Sequence, residues 1–97
     1  MQPKHYRSRP GAEFLMRRWD DDSVIYVVPS RETHFVSSLG TALFDSISEG
    51  PKVLESLKAE MLDRVEAGER LDIEAEVEAA LQSLEKIQLI ETFEDAF

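Results

Sequence analysis

The hydrophobic positions change period once along the chain. From Phe14 to Val36 they fall in short, strand-like alternating runs, and from Leu39 onward they return every three or four residues. The stretch Thr33–Leu39 is the point of change. Phe14–Trp19 predicts a first strand, with Phe14, Met16 and Arg18 pointing one way and Leu15, Arg17 and Trp19 the other. Asp20-Asp21-Asp22-Ser23 predicts a turn, because short polar side chains bond their own backbone. Ser23–Val28, β-branched and aromatic throughout, predicts a second strand that is central or covered on both sides. Pro29–Glu32 predicts another turn, and Thr33–Val36 a third strand, so the three form an antiparallel meander.

Ser37 or Ser38 then caps a first helix with the stripe Leu39, Leu43 and Ile47. Gly50-Pro51 closes it, and Pro51 opens a second helix from about Lys52 to Glu66. Leu54, Leu57, Met61 and Val65 form the second stripe, and Gly68 stops that helix. Asp72 caps a third helix whose stripe is Ile73, Val77, Ala80, Leu81, Leu84 and Ile87. Strands followed by helices predict an α+β domain: a three-stranded antiparallel sheet and then three helices, in a winged helix-turn-helix-like arrangement. Residues 1–12, basic and broken by Pro3, Pro10 and Gly11, predict a flexible arm. Residues 13–91 form the single domain, and residues 92–97 an acidic tail.

Charge narrows the classes of partner. The chain of 97 residues carries a formal net charge of −9. The charge is unevenly spread: residues 1–18 hold Lys4, Arg7, Arg9, Arg17 and Arg18 against Glu13 alone, and the chain from Trp19 onward is strongly acidic. An acidic body repels phosphate backbones, which weighs against nucleic acid as the main partner. There is no cysteine, hence no disulfide framework and no thiolate site. No apolar run is long enough to span a bilayer, so no membrane association is expected and the predicted location is cytoplasmic.

Candidate chemistry is absent. No nucleophile motif and no glycine-rich phosphate loop occurs. Asp20-Asp21-Asp22 lacks the spacing of a calcium loop. His5 and His34 lie too far apart in sequence to suggest a metal site, and His34 reads as a strand residue bonded to a neighbour. No catalytic residue, cofactor or metal is expected, and the protein is not read as an enzyme.

Between Trp19 and Glu91 the chain resembles PqqD-type proteins, small peptide chaperones also called RiPP recognition elements, from ribosomal-peptide modification pathways. The residues that carry the resemblance are Trp19, Val24-Ile25-Tyr26-Val27-Val28, Pro29-Ser30-Arg31-Glu32 and Thr33-His34. It continues through Leu39-x-x-Ala42-Leu43-Phe44-x-x-Ile47 and Leu84-x-x-Ile87-x-Leu89-Ile90. The Thr-His pair after a proline-led turn is most similar to the branch found beside HPr-kinase-related proteins. Pro51–Leu57 departs from the family pattern, which more often starts the second helix with Thr or Ser followed by acidic residues.

The resemblance implies a module that binds the leader of a precursor peptide as an added strand. The site it implies is the edge Thr33, His34, Phe35 and Val36, with a wall drawn from Val77, Ala80, Leu81 and Leu84 of the third helix. The implied partners are a precursor peptide and a peptide-modifying enzyme such as a radical SAM or kinase-like protein, with the module itself a monomer or homodimer. Two other functions fit the layout: a winged-helix DNA-binding regulator, and a protein-binding subunit of an enzyme complex. The first needs basic and amide side chains on a recognition helix, where this chain has glutamates.

Overall fold

The structure, a computed structural model, describes residues 4–64 and 72–94. Its elements in chain order are β1 (Lys4–Ser8), β2 (Phe14–Trp19), β3 (Asp22–Val27), β4 (Glu32–Val36), α1 (Ser38–Ser48), β5 (Lys52–Val53), α2 (Leu54–Arg64), α3 (Ile73–Lys86) and β6 (Ile90–Glu94). The fold is α+β, with three helices and two antiparallel sheets, ordered β2-β3-β4 and β5-β1-β6.

The first sheet is the expected meander. Asp20-Asp21 joins β2 to β3, with Trp19 opposite Asp22 and Phe14 opposite Val27. Asp20 takes a positive φ of 56°, a conformation that aspartate tolerates better than bulky residues do. Residues 28–31 join β3 to β4, with Arg31 at φ 60° donating its amide to the Val27 carbonyl at 2.9 Å. The inner face turns Ile25 and Val36 into the core, and Phe14 meets Phe44 edge-on with ring centroids 5.5 Å apart. Where β3 passes under α1, the buried hydroxyls of Ser23 and Thr41 bond each other at 2.8 Å. Neither is left unsatisfied inside the core.

The second sheet corrects three expectations. Residues 1–12 are not simply an arm: Lys4–Ser8 is the middle strand, paired with β6 over its whole length and with β5 at His5 and Tyr6. Alternation supplies the reason. Tyr6 buries its ring in the core, while His5 stacks on Phe93 and Arg7 lies 4.6 Å above the same ring. Arg7 also donates through Nε to Glu91 at 2.7 Å. Burial pushes the Tyr6 phenol above its ordinary pKa, with Glu85 and Glu78 adding to the rise. The acidic tail expected from 92 instead begins inside a strand, since Thr92–Glu94 belong to β6. Pro51 does not open the second helix. Lys52 and Val53 pair with β1 first, and α2 starts at Leu54.

The helices close the core. α1 lies against β1, β3 and both other helices, burying Leu43, Phe44 and Ile47. Its cap is Ser37, whose hydroxyl accepts the Gly40 amide at 3.3 Å. α2 buries Leu57 and Met61, and α3 buries Ile73, Val77, Leu81 and Leu84. Asp72 holds the capping position of α3 without a side-chain cap bond, and Glu74 and Glu76 lie in its first turn. The expectations for Val65, Glu66 and Gly68 fall outside the described residues.

Candidate functional site

β4 is the outer strand of its sheet. β3 pairs with one edge, and among the described residues no strand pairs with the other. Five residues of strand extend over roughly 17 Å. Along that length alternate N–H and C=O groups face away from β3, ready to bond an extended chain.

A groove with a volume of about 870 Å³ runs beside this edge. β4 and the start of α1 form one side, and the C-terminal half of α3 forms the other. Residues 9–13, the link from β1 to β2, close one end. That link is held by the Arg9 amide on the Leu89 carbonyl at 3.0 Å and by the Arg9 guanidinium on Gln88 at 2.5 Å. Val28 donates its amide to the Glu13 carbonyl at 3.0 Å, which ties the same link to the turn before β4.

Geometry separates the residues read from sequence. On β4, His34 and Val36 turn toward the groove, His34 half-buried and Val36 buried. Phe35 borders it but carries its ring on the opposite sheet face, 70% exposed. Thr33 shares that outer face and does not line the groove. On α3, Ala80 lines the groove and Leu84 reaches it while staying buried in the core, whereas Val77 and Leu81 are enclosed in the core and do not line it. Ile87 and Ser83, absent from the sequence reading of the site, line it as well. A helix-face argument could have found Ile87. Positions 80 and 87, seven residues apart, share one side of the helix, displaced from the core row of 77, 81 and 84.

Gly40 sets how closely α1 packs on β4 along one side of the groove. A Cβ at that position would stand 2.7 Å from Val36 Cγ1, so only glycine lets α1 approach β4 this closely. The groove lining is mostly apolar, with His34, Ser37 and Ser83 and the charged Glu13, Glu32, Arg9 and Lys86 among it. An apolar trough beside an open strand edge can hold an extended peptide: the edge bonds its backbone and the trough takes every second side chain. It offers no nucleophile paired with a base, and no group of three or more His, Asp or Glu able to hold a metal occurs among the described residues. No helix among the described residues is long and apolar enough to cross a membrane.

No protein-family model matches the chain, and no curated protein matches it. Among solved structures it is similar to TbiB1 in complex with the TbiA(beta) leader peptide, with a TM-score of 0.67 and 18% sequence identity. The likeness covers 87% of this chain and 94% of that one, and it establishes that the two share a fold.

Proposed function

We propose that this chain is a non-catalytic peptide-binding module of the PqqD-like, RiPP recognition element kind. It captures the leader of a ribosomally made precursor by strand addition along β4 and presents it to a maturation enzyme. The observation that carries this reading is the unpaired β4 edge lying beside an apolar groove. The TbiB1 fold, solved with a leader peptide, supports it.

In this reading the guest's backbone bonds the outer edge of residues 32–36. Its inward side chains enter the trough between Val36, Ala80, Leu84 and Ile87, where apolar burial contributes about 25 cal/mol per Å². Val77 and Leu81 act from behind, fixing the position of α3. A DNA-reading role has no supporting observation, because α3 turns Glu74, Glu76 and Glu78 to solvent.

The test is fluorescence anisotropy with labelled leader peptides from whichever short precursor genes neighbour this one. Ala80→Arg fills the groove from a half-exposed position and leaves the core rows of α3 intact. It is expected to weaken binding by about tenfold or more, the equivalent of roughly 1.4 kcal/mol. Unchanged affinity in this variant, with its circular dichroism unaltered, would remove the groove from the proposal.

A further inference from the structure

The register of the β2-β3-β4 sheet collects exposed apolar residues on one face. Leu15, Arg17 and Trp19 stand opposite Tyr26, Val24 and Asp22, and Tyr26 and Val24 stand opposite Thr33 and Phe35. Directly opposite residues share a face, so all eight lie on the side away from the helices. Leu15, Trp19 and Phe35 are 67%, 68% and 70% exposed, and they are three of the four large hydrophobics left exposed among the described residues. A patch of this kind marks an interaction surface more often than idle surface.

Charge indicates what covers it. The chain carries −9 overall, yet this face holds one cation, Arg17, and one anion, Asp22. They sit on adjacent strands, and neither makes an ion pair among the described residues. A locally neutral face gives no pull toward a strongly basic partner. It is self-complementary instead: about a two-fold axis midway between them, Arg17 of one copy meets Asp22 of the other, and the reverse contact follows by symmetry.

We infer that this outer face is a self-association surface, on which two copies pack sheet against sheet with Arg17 and Asp22 paired reciprocally about the axis, Trp19 and Val24 beside them and Leu15 and Phe35 flanking. Sheets packed this way lie roughly 10 Å apart and interdigitate their side chains. Faces are buried and edges are not, so β4 keeps its free edge in both copies. The inference therefore stands apart from peptide binding.

Trp19, the sole tryptophan, reports on the contact. Sedimentation velocity on the full chain is expected to show mass rising with concentration from 11.1 kDa toward twice that value. Tryptophan emission should shift to the blue in step. Arg17→Asp and Asp22→Arg, both on exposed or half-exposed positions, should each raise the dimer dissociation constant by about tenfold, and combining them should restore most of the loss. A single 11.1 kDa species at every concentration overturns the inference. So does a dimer that leaves the tryptophan emission unmoved, or single variants that dimerise as tightly as the parent. If the double variant fails to recover, the reciprocal pairing is wrong. Circular dichroism confirms that each variant is folded.

Discussion

At residue 40 a single hydrogen separates a fitting contact from a clash. Alanine in the first turn of α1 would gain up to ~1 kcal/mol of helix propensity. Its Cβ would also press on Val36 Cγ1, a buried and rotationally stiff neighbour, and overpacking of this kind costs ~1–3 kcal/mol. We expect Gly40→Ala to destabilise the fold by about 1 kcal/mol net, read as a lower urea midpoint with an unchanged slope. Sequence does not mark this glycine: Val36 lies only four residues back, but the close approach depends on the angle at which α1 leaves β4.

Glu60 is a second case at this scale. The Ser46 hydroxyl donates to its carboxylate, and Lys52 approaches at 3.3 Å. The Ser46 bond is the main reason its pKa is lowered from the ordinary carboxylate value, with Lys52 adding to it against the opposing effect of burial. A depressed carboxyl pKa contributes stability that is present above the unfolded-state value and lost as pH falls through the folded one. Ser46→Ala should therefore lower the denaturation midpoint at pH 7, and the gap should narrow on acidification below about pH 4. A gap that stays constant to pH 3 would separate the effect from Glu60 ionisation.

At the scale of elements, periodicity located β2, β3, β4 and the three helices, because each buries one face and alternates at its own period. It missed β1, β5 and β6. Tyr6 is the only buried residue of β1, and Pro3 and Pro10 bracket a strand of mostly basic and polar residues. Such a strand owes its form to partners at both sides and not to its own pattern.

The end of α3 shows the same dependence. Leu89 donates to the Leu84 carbonyl at 3.1 Å and Gln88 to the Glu85 carbonyl at 2.9 Å, with Gln88 at φ 66°. These bonds form a Schellman cap, whose left-handed position usually holds glycine. Gln88 occupies it, and its side chain accepts from Arg9 beside the groove. Gln88→Gly should relieve backbone strain of about 1 kcal/mol and forfeit an exposed contact worth less than that, so the melting temperature should rise by a few degrees. A fall in melting temperature would show that the Arg9 contact outweighs the strain.

For the whole molecule, the pairing of β1 with β6 brings the beginning and end of the described chain together, with the Arg7–Glu91 contact bridging them. An arm could be removed freely, whereas β1 could not. Deleting residues 1–8 strips the middle strand from a three-stranded sheet and takes the Tyr6 ring out of the core. Loss of a buried aromatic alone costs ~3–5 kcal/mol, a large part of the stability of a domain this size. The truncated chain should melt far below the parent and lose a sharp thermal transition. A preserved transition would restore the reading of this segment as a dispensable arm.

The groove depends on the same arrangement, since residues 9–13 close it and are positioned by β1 and by the cap of α3. Sequence by itself determined the α+β class, the meander, the helix stripes and the strand that became the free edge. Each of these follows from side chains that must alternate between water and core at a fixed local period. Only the tertiary structure decided that Ala80 and Ile87 face the groove while Val77 and Leu81 are enclosed in the core. The same holds for the terminal strands pairing with each other. Those outcomes turn on which surfaces meet across long sequence separations, and local period carries no record of that.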